Sequence, residues 1–179
     1  KSDKFDMTQF RDGSAYFMRP DLNVAATYGM PWGVGTLNII YNKKAFREAG
    51  NPMPYKGWTT DDFVEAAKKM TKDTNGDGKP DMYGTEGFGI YYNGWPFLDG
   101  GDYIDAKRKV TVDAPAFQSS LQLLADLGLK YKVAGGNFEA GKCAITSQWD
   151  GYTNKLVAQK IDKKFDFSTT WLPKGQGKL

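Results

Sequence analysis

Tyr28-Gly29-Met30-Pro31-Trp32-Gly33-Val34-Gly35-Thr36-Leu37-Asn38-Ile39-Ile40-Tyr41-Asn42 is the stretch whose reading decides the fold. Pro31 restricts the residue before it to extended geometry, and Gly33 and Gly35 can take backbone angles closed to other residues. A β-rich segment follows and closes on Tyr41-Asn42, which lead straight into a helical pattern from Lys43 to Ala49, with Gly50 placed to cap its C-terminus. A strand is therefore entered through a tight bend and runs directly into a helix.

The same alternation continues outward. Asn51-Pro52 and Pro54 hold the chain extended, and Thr59 or Thr60 starts a helix with Asp61 and Asp62 in the first turn, where acidic groups suit the helix dipole. Phe63, Ala67 and Met70 recur at helical spacing, which leaves Lys68-Lys69 on the wet side. Tyr83 to Ile90 has strand chemistry interrupted by Gly84, Gly87 and Gly89, features of a bulge or a close backbone approach. Asn93 to Leu98 reads as a helical turn ended by Asp99-Gly100-Gly101-Asp102, and Lys109 to Val112 as a short strand. Asp113 is expected to cap a long helix with Pro115 in its first turn and Phe117, Leu121 and Leu124 on its core face. Cys143 to Ser147 reads as a strand, about 150 to 161 as a helix, and the alternation of Phe165, Phe167, Thr169 and Trp171 as a last strand. Strands alternate with helices, so the class is α/β with a largely parallel or mixed sheet flanked by helices.

Composition removes several function classes. The 179 residues include 24 basic and 21 acidic side chains and no histidine. Every Ser-His-Asp and Cys-His arrangement is thereby excluded, along with most zinc sites. The small net charge of +3 comes from scattered lysines and arginines, which gives no basic stripe for nucleic acid. Cys143 is the sole cysteine, so no intrachain disulfide can form, and a buried thiol behaving as a small hydrophobe is favoured over a reactive one. Aromatic residues make up 15% of the chain, a density that points to rings on show as well as in the core.

One loop has metal-binding spacing. Asp73, Asn75, Asp77 and Asp81 place oxygen side chains at positions 1, 3, 5 and 9 of an EF-hand-like calcium loop, with Gly78 at the sharp turn and the Lys79 carbonyl at position 7. Position 12 is Gly84 instead of the bidentate glutamate, and Glu86 could replace it only if the loop bent back. Calcium binding and a polar turn built of Asn-Gly and Asp-Gly both fit this pattern.

Five motifs occur in one order: Tyr28-Gly29-x-Pro31 with a strand ending Tyr41-Asn42-Lys43-x-x-Phe46-x-x-Ala49-Gly50; Pro54 to Phe63 with Trp58-Thr59-Thr60-Asp61-Asp62-Phe63; Tyr83-Gly84; Gly100-Gly101; and Phe138-Glu139-Ala140-Gly141-Lys142-Cys143-Ala144-Ile145. Together they resemble the family 1 extracellular solute-binding proteins, the sugar-binding receptors of bacterial ABC importers, to which maltose-binding protein belongs. The resemblance implies one α/β lobe of the periplasmic-binding-protein-like type II fold. Residues 1–27 would be the tail of the other lobe or an inter-lobe segment, 28–173 the lobe between two hinge crossings, and 174–179 the start of the return. The connection from Tyr131 to Phe138 is shorter than is usual in the family, with Gly135-Gly136 at the shortening.

By the same resemblance Tyr92, spaced before Trp95-Pro96 as in the maltose-binding branch, would stack on sugar. Trp149 stands nearest to a family tryptophan, and Trp32 follows the first crossing. Stacking on a pyranose and core packing compete for Trp32, Tyr92, Trp95 and Trp149. Asn93 and Asp150 are the expected polar partners of sugar hydroxyls, and both also sit where helices start. The implied function is non-catalytic capture of a mono- or oligosaccharide for delivery to an ABC permease, with no cofactor required and calcium only a candidate ligand of the 73–81 loop. The protein is expected to be a monomer that is extracellular or periplasmic, and lipid-anchored to the cell membrane if Gram-positive. The alternatives are a glycoside hydrolase using two carboxylates, for which no acid pair stands out, and a calcium-stabilised structural or interaction domain.

Overall fold

The computed structural model describes residues 35–87, 90–105, 107, 109–175, with the side chains of 90–93 left out. The chain divides into two compact units, Lys1–Thr36 and Leu37–Leu179. Trp32 and the tail expected over 1–27 lie outside the described residues, as do 176–179. The second unit contains the strand and helices read above.

Its centre is β1 (Leu37–Asn42), flanked by β2 (Ile145–Trp149) and β3 (Phe167–Thr170) in the order β2-β1-β3. Both pairings are antiparallel, with Leu37 opposite Trp149, Tyr41 opposite Ile145 and Ile39 opposite Thr170. Of the largely parallel or mixed sheet expected, the named strands form the antiparallel part, and parallel pairing among the described residues is confined to single bridges, Thr59 with Lys174, Tyr83 with Cys143 and Thr85 with Ala134. The segment from Tyr83 does not form a continuous strand there. Glycine explains part of this, because a Cβ at Gly84 would lie 2.1 Å from the Ala67 carbonyl oxygen, so the chain is held against α2 (Thr60–Met70). The 109–112 segment likewise contributes only the antiparallel bridge of Val110 to Ile104.

Local sequence accounts for the helices. The Asn42 side-chain oxygen accepts from the amides of Lys44 (3.0 Å) and Ala45 (3.2 Å), so β1 turns into α1 (Lys43–Glu48) within one residue. Gly50, at φ +64°, lets the Asn51 amide reach back to the Phe46 carbonyl. Thr59 and Asp62 form a capping box at the start of α2, and the Asp62 carboxyl is held below its usual range chiefly by the Thr59 backbone amide and hydroxyl. The next element is a 3-10 helix, Ile90–Asp99, followed by α3 (Pro115–Leu129). Asp113 does not cap α3; Ala114 occupies the N-cap without a side-chain bond, and Pro115 is the first helical residue. Leu121 is exposed, against expectation, while Phe117, Ser120 and Leu127 are buried. The rotation follows from the Asp99 carboxylate, which takes the Ser119 and Ser120 hydroxyls and draws that side of the helix inward. A short α4 (Tyr152–Ala158) and a 3-10 turn (Ile161–Lys163) replace the expected longer helix, broken where Lys160 takes a left-handed φ of +58°.

Two apolar clusters sandwich the sheet. On one side Ile39, Tyr41 and Ile145 pack with Phe63, Ala67, Met70 and Trp95. On the other Ile40 packs with Phe138, Cys143, Tyr152, Leu156 and Ile161. This is the period of two expected of a central strand buried on both faces.

Candidate functional site

The sheet has two unlike ends. At the Asn42 end β1 is buried from Ile39 onward and capped by α1. At the Leu37 end Leu37 is only partly buried, and two large rings emerge: Trp149, the last residue of β2, is 46% exposed, and Trp171, just past β3, is 68% exposed. Singly exposed apolar residues are ordinary, but two tryptophans at one end of one sheet are not. Register puts Trp149 directly across from Leu37, and opposed residues share a face of the sheet. The 3-10 helix passes over that same face, since a Cβ on Gly94 would lie 2.8 Å from Leu37 Cδ1. That helix, which carries Tyr92 and Asn93, thus reaches this end of the sheet at Gly94.

The expected site residues separate accordingly. Tyr92 and Asn93 lie within the 3-10 helix, three and two residues before Trp95, so Asn93 is inside that helix and not at its start. Trp95 is removed from the candidate set: it is 1% exposed and packs edge-on against Phe63 with ring centroids 5.1 Å apart, so its faces belong to the core. Asp150 is exposed beside Trp149, and its Oδ1 accepts the Gly151 amide at 3.0 Å, one residue ahead of the α4 N-cap. Trp171 is the residue that reading by periodicity missed. Its place in an alternating run marked it as strand, and only the end of β3 at Thr170 frees the ring, while its carbonyl accepts from Trp58 Nε1 at 3.0 Å.

The 73–81 loop belongs to the other end, where Thr74 and Asn42 line one cavity of about 520 Å3 together with Lys44, Lys72, Gly141 and Phe165. The loop is closed by the bridge of Lys72 to Met82, and Gly76 and Gly78 both take positive φ. Asp73 accepts the amides of Gly76 (2.7 Å) and Gly78 (2.8 Å), Asn75 that of Asp77 (2.8 Å), and Asp77 that of Lys79 (2.8 Å). Asp81 accepts the Thr74 hydroxyl and amide, which hold its carboxyl below the usual range. Among the described residues, no group of three Asp, Glu, His or Cys side chains is placed to hold a metal. Glu86 does not bend back to the loop. It accepts from the Phe138 amide (3.2 Å) and the Thr146 hydroxyl, joining the 137–138 turn to β2.

Other reactive groups are quiet. Burial pushes the Cys143 thiol well above its ordinary range, so it stays protonated and inert. Glu139 accepts from Lys155 (2.6 Å) and Tyr152 (2.7 Å), and these two, Lys155 first, keep its carboxyl below the usual range. Tyr152 is pushed up, chiefly by burial.

Residues 3–179 match the sequence family described as bacterial extracellular solute-binding protein. The sn-glycerol-3-phosphate-binding periplasmic protein UgpB of Rhizobium meliloti is 28% identical over 180 residues, covering 88% of this chain and 39% of the relative. Among solved structures, the ABC substrate-binding protein Lmo0181 from Listeria monocytogenes in complex with cycloalternan superposes with a TM-score of 0.77 at 22% identity, over 99% of this chain and 46% of that one. UgpB from Mycobacterium tuberculosis in complex with glycerophosphocholine gives a TM-score of 0.74 at 22% identity, over 96% and 43%. The GacH receptor of Streptomyces glaucescens gives 0.74 at 23%, over 96% and 45%. The chain therefore spans less than half the length of these relatives and shares their fold. The motifs, the sandwich around β1 and the match over 3–179 agree, and the chain belongs to the bacterial extracellular solute-binding proteins.

Proposed function

We propose that this chain supplies one wall of a non-catalytic carbohydrate-binding site in a receptor that delivers its sugar to an ABC transporter permease. The observation that carries the reading is the open end of the sheet, where Trp149, followed by the exposed Asp150, and Trp171 expose indole surface and Gly94 of the 3-10 helix meets Leu37. Flat aromatic faces suit the C–H faces of a pyranose, and carboxylate or amide groups suit its hydroxyls. Structures of the same fold hold cycloalternan, maltotriose and mannobiose. Among the described residues the carboxyls with displaced proton affinity, Asp62, Glu65, Asp81 and Glu139, are held low, whereas a general acid is held high, so none of them favours a catalytic reading. The receptor acts as a monomer outside the cytoplasmic membrane, with a lipid anchor if the source is Gram-positive.

Affinity separates this reading from its rivals. One wall leaves the other face of a sugar wet, so the isolated chain is expected to bind at roughly millimolar Kd, near −4 kcal/mol, and a two-walled receptor at micromolar or better. Calorimetry of both against maltotriose, mannobiose and sn-glycerol 3-phosphate is the test. Micromolar binding by the isolated chain would overturn the half-site reading, turnover of a sugar would overturn the receptor reading, and preference for the phosphate would replace the sugar.

For the 73–81 loop the same proposal includes a calcium ion held by Asp73, Asn75, Asp77, Asp81 and the Lys79 carbonyl. Its support is the Gly78 amide fixing Asp73 at the sharp turn. Without a twelfth-position glutamate the affinity belongs in the weak range of extracellular modules, about 0.1–1 mM.

A further inference from the structure

We infer that Gly151 is a positioning residue that seats the Trp149 indole and fixes which of its faces is presented to ligand; this rests on the reading of Trp149 as a sugar-facing ring. The observation is one of space. A Cβ built on Gly151 would fall 2.0 Å from Trp149 Cζ3, 2.4 Å from Cη2 and 2.8 Å from Cε3, inside the benzo half of the indole. The backbone does not ask for glycine here, because φ −67° and ψ −13° are right-handed helical values open to any L residue. Nor does the helix start need it, since Ser, Thr, Asn or Asp would fill that N-cap at least as well and α4 has no side-chain cap. The ring alone requires the missing side chain. The seat is held from both sides, by Asp150 Oδ1 accepting the Gly151 amide (3.0 Å) and by the Thr153 hydroxyl donating to the Asp150 carbonyl (3.0 Å). A half-exposed tryptophan would otherwise sample several rotamers; backed by bare backbone, it offers one fixed flat face.

Alanine at 151 keeps the backbone and fills the seat. In the full protein carrying this chain, Gly151→Ala is compared with Trp149→Phe and with the double variant by near-UV circular dichroism and acrylamide quenching of tryptophan fluorescence. Binding of maltotriose, mannobiose and sn-glycerol 3-phosphate is measured alongside, with far-UV dichroism confirming the fold. The expected result is a changed Trp149 signal, defined as the difference from Trp149→Phe, with at least tenfold weaker binding of whichever probe binds. Gly151→Ala should add less than twofold in the Trp149→Phe background, and Gly151→Ser should behave as the alanine variant. An unchanged Trp149 signal overturns the seat, whatever binds. A changed signal with binding intact overturns its role in ligand positioning. If none of the probes binds the parent, the sugar reading fails, and the seat stands or falls on the ring signal.

Discussion

The two ends of the three-stranded sheet are built from the same three strands and do opposite things. At the Asn42 end Ile39, Ile40, Tyr41 and Ile145 are buried, Phe167 is partly buried, and Asn42 turns its amide oxygen onto the first turn of α1. At the Leu37 end the strands run out before their rings are covered, leaving Trp149 and Trp171 in solvent. Changes at the closed end should therefore be felt as stability with little direct effect on ligand. Changes at the open end should be felt as affinity with little effect on stability.

The largest effect expected is at the core beneath the sheet. Phe63 is fully buried and touches the rings of Trp58 and Trp95, so Phe63→Ala should lower unfolding stability by about 3–5 kcal/mol in urea titrations. A loss under 1 kcal/mol would mean that this side of the sandwich is not a packed core. Next comes Trp149→Ala, expected to weaken sugar binding about 10- to 100-fold in calorimetry, ~1.4–2.8 kcal/mol, while changing stability by less than about 1 kcal/mol. The reverse pattern, stability lost and affinity kept, would break the contrast between the ends.

Asn42→Ala removes the acceptor for two helix amides and should destabilise by about 1 kcal/mol with sugar affinity unchanged. The Glu139 cluster sharpens the contrast through pH. Its folded carboxyl lies below the ordinary value of 4.5, so its contribution is fully present above that value and is lost as pH falls through the lower folded one. The melting-temperature gap between the parent and Glu139→Gln should therefore be constant at neutral pH and shrink as pH falls below 4.5; a gap that widens on acidification would refute the pairing with Lys155 and Tyr152. Smallest is calcium. At a calcium concentration equal to its Kd, binding at the 73–81 loop stabilises by about 0.4 kcal/mol, a rise of roughly one degree that EDTA and Asp77→Ala should both abolish. Identical melting curves with and without calcium would leave the loop a turn, and altered sugar affinity on chelation would contradict its place at the closed end.

Much of this was written in the residues. The β1 to α1 junction follows from Tyr41-Asn42-Lys43, the α2 start from Thr59-Thr60-Asp61-Asp62, and its buried face from the spacing of Phe63, Ala67 and Met70. These are local effects, since capping and amphipathic period act within one or two turns. That these 179 residues include no histidine is likewise read from the composition with no structure needed. Other features are tertiary. Sheet direction depends on which strands meet, and segments 112 residues or more apart in sequence cannot announce that Leu37 will oppose Trp149 and Ile39 will oppose Thr170. The inward turn of Ser120 in place of Leu121 was set by Asp99, a residue outside the helix. Trp95 and Trp149 look alike as letters, yet one packs on Phe63 and the other ends a strand in solvent over a glycine. A ring's burial is decided by what the rest of the chain brings against it, and that is settled only when the chain has folded.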